Sequence, residues 1–283
     1  MARLNGSDAA REAVLEVAKM AAAAAFRAPQ VTGRLKLKTE ILTGEDLAPI
    51  VEFFEAIYPI SPVMYFDYQS LSHFLKQGDP PPILLIGADM TRSELGWDCG
   101  ACGFDSCAAF NAYSKENRSR AMLWGGPTCN WKLIDFGAAC DFACAAVAAH
   151  RFDCRAMGTI GAAAAGVGYL PECSATIGIP IGPAGDLVYF SRSQNQKTTT
   201  RQMQYEWLTR TSPTHWQAFP GSTRPCTKLK QDWWQDMQYV KFESISAAEA
   251  DFVTQTLAKV KAVSEKHTGR VADWYKHESQ PDR

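Results

Sequence analysis

Cys99-Gly-Ala-Cys102-Gly-Phe-Asp-Ser-Cys107 puts three thiols into nine residues, and Cys129 follows in Gly-Gly-Pro-Thr-Cys129-Asn. The spacing is C-x2-C-x4-C-x21-C. Sulfur is a soft donor, and the charge of a bound metal keeps a ligating thiol deprotonated at neutral pH. Four such thiolates are the ligand set of an iron–sulfur cluster. The leading reading is one [4Fe–4S] cluster on Cys99, Cys102, Cys107 and Cys129. Gly100 and Gly103 suit a loop that turns sharply and points backbone N–H groups at sulfur. Two other readings stay open. Structural zinc sites draw on two short pairs of ligands, whereas here three cysteines sit together and one apart. Plain packing of the thiols as small apolar groups is the other.

Further groups can carry chemistry. Cys140 and Cys144 are four apart on an expected helix and share a face. They read as a redox pair, as alternative cluster ligands, or as small apolar side chains in an Ala-rich helix. His150, at the end of that helix, can donate a proton to a substrate or simply stabilise a helix C-terminus. Cys140, Cys144 and His150 are the candidate catalytic residues. Asp98 and Asp105 flank cluster cysteines and read as acids or as loop caps. Cys154, Cys173 and Cys226 read as structural. Gly158-Thr-Ile-Gly161 and Gly166-Val-Gly168 lack the G-x-G-x-x-G spacing, and no P-loop Lys-Ser/Thr follows, so close packing accounts for them. Trp233-Trp234 is a place for ligand stacking, with core packing the default.

The elements that must hold these residues follow from periodicity. Residues 8–27 read as a helix capped by Asp8. Residues 36–42 alternate as a strand. Gly44-Glu-Asp46 opens a helix through Ile57 that Pro59 and Pro62 stop, and residues 70–76 form a short helix. The apolar run from Pro80 to Asp89 reads as a buried strand, with the cysteine loop directly after it. Helix-compatible residues follow at 105–120. Trp131 to His150 and residues 155–169 are two helices expected to pack tightly on each other through small residues. Ala175–Ile181 and Asp186–Phe190 read as two strands joined by a Pro/Gly turn. Residues 246–268 form an amphipathic helix with Phe252, Val253, Leu257, Val260 and Val263 on its apolar side.

The 283 residues, 46% of them hydrophobic, can bury a sizeable core. With 29 basic and 30 acidic residues and a net charge of −1, nothing attracts a polyanion, so nucleic acid is not an expected partner. No apolar run reaches a membrane span, and the charged N-terminal stretch does not read as a secretory signal. Nine cysteines, eight of them between Cys99 and Cys173, fit metal ligation in a reducing, cytoplasmic compartment better than a secreted disulfide scaffold.

The chain resembles the ferredoxin-domain proteins of archaea and anaerobic bacteria, a family whose activity is unassigned. The matching segments are Leu42-Thr-Gly-Glu-Asp-Leu47, the Cys99–Cys107 loop, Gly126-Pro-Thr-Cys-Asn-Trp-Lys-Leu-Ile-Asp-Phe-Gly137, Ala148-Ala-His150, Gly178-Ile-Pro-Ile-Gly-Pro-Ala-Gly185 and Tyr189-Phe-Ser-Arg192. The family implies ligands at Cys99, Cys102, Cys107 and Cys129. A weaker likeness to the nitroreductase fold rests on the helix ending Arg27-Ala-Pro29 and the Ala/Gly-rich helix before Ile-Gly-Ile-Pro180. It implies an α+β fold and a homodimer with FMN at its interface, although the usual arginine-rich phosphate segment is missing. The combined expectation is an α+β fold with a mixed sheet and packed helices, nitroreductase-like, carrying the inserted iron–sulfur loop over residues 96–131. Residues 1–192 form the core, and 193–283 an aromatic-rich extension. The expected activity is a reductive or lyase-type step on a small organic molecule in anaerobic metabolism, with a ferredoxin or flavodoxin as electron donor. The alternatives are a non-enzymatic electron-transfer protein and a structural zinc protein.

Overall fold

The run from Pro80 to Asp89 contains the central strand of the fold. The computed structural model describes residues 3, 5–120, 125–184, 188–191, 200, 226–232, 235–242 and 246–269. Strand β1 (Leu37–Leu42) pairs with β2 (Ile83–Ala88), in register Leu37 with Ala88 and Leu42 with Ile83. Strand β2 is buried along its whole length because helices cover both sides of it. Its side chains alternate between two cores, as the two-residue period of a strand requires. Leu84, Ile86 and Ala88 enter one, and Ile83 and Leu85 the other.

The first core is built by α1 (Gly6–Arg27), which supplies Val14, Val17, Ala18, Ala21 and Ala25. Asn5 rather than Asp8 caps α1, accepting the N–H of Ser7 at 2.9 Å. The second core is built by α2 (Ala48–Ile57), entered through a short 3-10 turn at Gly44–Leu47, and by α3 (Pro62–Lys76). Phe53, Phe54, Ile57, Met64 and Leu71 are completely or almost completely buried there. Pro62 opens α3: proline lacks an N–H that a helix start cannot use anyway. The short helix expected at 70–76 is therefore the end of a longer one.

Beyond β2 come α4 (Cys107–Glu116), the two-residue strands β3 (Ser119–Arg120) and β4 (Gly125–Gly126), and α5 (Asn130–Ala149). Then follow β5 (Phe152–Cys154), α6 (Gly158–Gly166), β6 (Ala175–Ala184) and one helical turn, α7 (Val188–Ser191). The main sheet has the order β1-β2-β6-β5 and is antiparallel at every step, where a mixed sheet was expected. Strand β6 runs through the expected Pro/Gly turn. The expected strand ending at Phe190 gives way to α7, because the buried Asp153 carboxylate accepts the N–H groups of Val188 at 2.6 Å and Tyr189 at 2.9 Å. That is a helix cap supplied from 35 residues away, with no trace in the local sequence.

Helices α5 and α6 are not partners. Helix α5 lies along α1 in the first core, and α6 lies in the second, across the sheet. The small residues serve helix-on-strand contact instead. A Cβ on Gly161 would sit 1.9 Å from the Thr176 carbonyl oxygen, so only glycine lets α6 approach β6 this closely.

Strands β7 (Cys226–Lys228) and β8 (Val240–Phe242) form a separate antiparallel pair. Helix α8 (Ala247–Thr268) closes the second core with Val260, and its Ser264 hydroxyl donates to the Gly166 carbonyl. Lys266 at 2.9 Å and His267 at 2.8 Å both reach Glu52 of α2. The segment beyond residue 192 thus adds a helix to the core. Phe252, expected on the apolar side of that helix, is 51% exposed. Trp233-Trp234, with Trp207, Trp216 and Trp274, lies outside the described residues. Among the described residues, no helix is long and apolar enough to cross a membrane.

Candidate metal centre

Two helix starts and one loop build the site. The loop leaves β2 at Ala88 and returns as α4, whose first residue is Cys107. Ser106 caps α4 by accepting the Ala109 N–H at 3.1 Å. Cys129 is the cap residue of α5, and its own N–H donates to the Met90 carbonyl at 2.9 Å. A helix start carries unpaired N–H groups and a partial positive charge, both of which favour a thiolate there. Cys107 and Cys129 thus both stand at helix starts.

Cys99, Cys102, Cys107 and Cys129 line one small cavity, together with Ser93, Leu95, Phe104, Asn130 and Trp131. Their exposure is graded: Cys129 is buried, Cys102 and Cys107 half-buried, and Cys99 exposed. The turn that carries Cys102 takes left-handed backbone at Gly100 (φ 69°) and Gly103 (φ 85°), closed by a Gly103 N–H bond to the Gly100 carbonyl at 2.9 Å. Among the described residues, no three His, Cys, Asp or Glu side chains are drawn together closely enough to hold a single metal ion.

Hydrogen bonds converge on the sulfurs. The Ser93 hydroxyl donates to Cys107 Sγ at 3.2 Å, and the Trp131 indole N–H to Cys99 Sγ at 3.3 Å. Ser93 is itself held on both sides by Asn111, at 2.7 and 2.8 Å. The Ser93 hydroxyl first, then the Asp98 backbone N–H, hold the Cys107 thiol below its ordinary value against burial; the N–H groups of Trp97 and Gly96 add to this. Gly96 (φ 61°) and Asp98 (φ 47°) take left-handed backbone on either side of Trp97. Such alternation curls successive N–H groups into an anion-binding concavity. The Asp98 carboxylate accepts the Cys107 N–H at 2.7 Å, so this acid ties the loop to the start of α4. Trp97 and Trp131 meet edge-on at 6.2 Å beside Cys99, and Asn130 donates to the Ala101 carbonyl.

One ion pair underpins the wall. Lys132, one turn into α5, is 4% exposed and pairs with Glu94 at 3.0 Å. Burial pushes the Glu94 carboxyl up, but the Lys132 ammonium, with Lys36 and Arg92, outweighs it and holds the group below its ordinary value. Sequence reasoning missed Ser93, Asn111, Trp131, Lys132 and Glu94. Only Trp131, two residues past Cys129, carried a signal, as an aromatic beside a ligand.

The other expected site residues fall elsewhere. His150 is exposed and ends α5, roughly 30 Å from Cys129 at the helical rise. Cys140 and Cys144 lie on α5 in the first core, and Cys154 on β5 beside them. The larger described cavity, about 210 Å³, is lined by Arg11, Phe74, Asp79 and the Pro80–Pro82 run and contains none of the candidate residues.

Residues 125–192 match the family described as an uncharacterized protein containing a ferredoxin domain. That span takes in Cys129, α5, β5, α6 and β6, while Cys99, Cys102 and Cys107 precede it. A protein of Archaeoglobus fulgidus, also described as uncharacterized, is 29% identical over 191 residues, covering 67% of this chain and 97% of the archaeal one. No solved structure matches the chain. The family resemblance read from the sequence is borne out: over residues 125–192 the chain carries the pattern of the proteins that contain a ferredoxin domain.

Proposed function

We propose that the chain holds one [4Fe–4S] cluster on Cys99, Cys102, Cys107 and Cys129 and exchanges single electrons with a partner protein. The observation that carries this reading is that all four thiols of the spaced set line one cavity, graded from the buried Cys129 to the exposed Cys99. The donor set fits the group: four thiols, two of them at helix starts, with N–H and O–H donors directed at sulfur. The likeness over residues 125–192 to proteins that contain a ferredoxin domain supports the same reading. When bound, the cluster supplies one-electron chemistry. The protein's own residues fix the sulfurs, shield the buried side through Leu95 and Phe104, and leave the Cys99 edge at the surface. Trp97, 47% exposed beside Cys99, gives a small redox protein of the ferredoxin or flavodoxin kind an aromatic contact.

A reductive or lyase-type step on a small molecule is the second reading, and Cys99 alone favours it. This thiol is exposed and accepts a hydrogen bond from Trp131, so it is the ligand a substrate would most readily replace.

The deciding experiment is the visible spectrum of the full chain, purified without oxygen and reconstituted with iron and sulfide, before and after dithionite. A broad brown absorption that bleaches is expected. A colourless protein carrying zinc would overturn the cluster, and structured yellow bands would add FMN. Mixing the reduced protein with oxidised flavodoxin should restore the absorption. Failure to do so, with turnover of a small substrate, would favour the second reading.

A further inference from the structure

The chain reverses sharply after α5. His150 and Arg151 donate their N–H groups to Val147 and Ala148 at 3.0 Å, and Arg151 takes left-handed backbone at φ 63°. The reversal lays β5 back beside the last turns of α5, between that helix and β6. Cys154 thereby meets Cys144, ten residues earlier: its thiol donates to the Cys144 carbonyl at 3.7 Å. Both residues are half-buried, whereas Cys140, one turn back on α5, is 7% exposed.

We propose that Cys144 and Cys154 are a second redox site, a dithiol that exchanges with an external disulfide and closes to an intramolecular Cys144–Cys154 disulfide. This does not rest on the cluster. Cys144 lies fifteen residues along α5 from Cys129, roughly 22 Å at the helical rise.

The environment divides the work between the two thiols. The Cys154 side chain, helped by the Ala156 backbone N–H, holds the Cys144 thiol below its ordinary value, against burial and the Asp141 carboxylate. Cys154 is shifted upward by Cys144 and burial first, and by the charge of Asp153. Cys140 is pushed up to about 12 by burial and by Cys144. The thiolate is the nucleophile, so Cys144 attacks, Cys154 keeps its proton until it is needed, and Cys140 stands by as packing. Tyr189 also faces this end of β5: burial, with Asp153 and Cys154, raises its hydroxyl, which among the described residues is buried without a hydrogen-bond partner.

The step balances with a disulfide R–S–S–R as oxidant. Cys144 Sγ attacks one sulfur, forming Cys144–S–S–R and expelling RS⁻. Cys154 gives its proton to the expelled thiolate, attacks Cys144 Sγ and releases the second RS⁻, which takes a proton from water. Two protein thiols lose two electrons, and R–S–S–R gains them as two thiols. The ligand class is a low-molecular-weight or protein disulfide.

The test uses the full chain, titrated without oxygen with glutathione disulfide, alkylated, unfolded and digested with trypsin. Cleavage after Lys132, Arg151 and Arg155 puts Cys140 and Cys144 on one peptide and Cys154 on the tetrapeptide Phe152–Arg155. The expected product is that pair of peptides joined through Cys144, with Cys140 alkylated only after unfolding. In Cys154→Ser, one glutathione should be trapped on Cys144. In Cys144→Ser, Cys154 should react at least roughly tenfold more slowly than Cys144 does in the native chain. A Cys140–Cys144 bond, no cross-link at glutathione disulfide levels that oxidise a free dithiol, or an unslowed Cys154 would each overturn the proposal. The cross-link map of the native chain decides even if a variant fails to fold. Loss of brown colour with an intact cross-link would remove the cluster and leave this site standing.

Discussion

Helix α5 has cysteines toward both ends, and the two sets are built on opposite terms. At its start, Cys129 joins Cys99, Cys102 and Cys107; the Cys99 sulfur accepts a hydrogen bond from Trp131, and that of Cys107 from Ser93 and a curl of backbone N–H groups. Toward its end, Cys140 and Cys144 sit among alanines, and the thiol that reaches them comes from Cys154 on β5. The first set lines a cavity open to the surface, and the second packs into the first core. The difference teaches that a cysteine's chemistry is written in the donors around the sulfur more than in cysteine spacing. A sulfur that receives N–H and O–H donors, like that of Cys107, is prepared to be an anion, and one among methyl groups, like that of Cys140, is prepared to stay a thiol.

The largest effect that would break this comparison is on iron. Cys129→Ala removes the buried thiol that ties the set to α5. Iron in the reconstituted protein should fall from about four per chain to near zero or to an unstable remnant. Cys144→Ala should leave iron unchanged, since that sulfur lies at the other end of the helix. Iron and sulfide analysis of the two variants side by side is the measurement. If Cys144→Ala loses the iron and Cys129→Ala keeps it, the roles of the two ends are reversed.

The two ends also differed in how much of them could be read in advance. The shared cavity of the loop set was legible because three thiols lie within nine residues, too short a stretch to separate them. The helices were legible wherever one face is apolar, as in α1, α2 and α8, and β2 because burial on both faces leaves an unbroken apolar run. Strand β5 was not. Three residues are too few to show a period of two, and β5 exists because it pairs with β6, 27 residues downstream from Cys154 to Ile181. The Cys144–Cys154 contact was hidden for the same reason: helical spacing pairs Cys144 with Cys140, and only the reversal at Arg151 brings in Cys154. Ser93 carried no mark either, since its role depends on Asn111 holding it from another element.

A smaller effect sharpens the contrast through charge. The start of α5 is tied to the loop by the Lys132–Glu94 pair, and Glu94→Gln leaves a nearly buried ammonium without its partner. A fully buried pair broken this way costs several kcal/mol, but the Glu94 side chain is 34% exposed, so about 1 kcal/mol is the expected loss. The sign with pH follows from the direction of the shift. A carboxyl held below its ordinary value adds stability above the unfolded value of 4.5 and loses it as pH falls through the folded value. The difference between wild type and Glu94→Gln in urea denaturation should be full at neutral pH and shrink below about 4.5. A difference that grows with acid would show that the pair is not its source.

The smallest effect concerns Cys140, the cysteine that sequence spacing favours and the structure sets among apolar groups. The residue is 7% exposed in the first core, and burial and Cys144 push the thiol up to about 12, so it is protonated throughout the neutral range. Cys140→Ala removes one buried atom group and leaves a small void, which costs about 1 kcal/mol. Nothing in the contact between Cys144 and Cys154 passes through Cys140, because the hydrogen bond runs directly from β5 to α5. The yield of the Cys144–Cys154 cross-link with glutathione disulfide should therefore match that of the native chain, while the urea midpoint falls slightly. A cross-link yield that collapses in Cys140→Ala would make the end of α5 a three-thiol site. It would also mean that helical spacing was the better guide there.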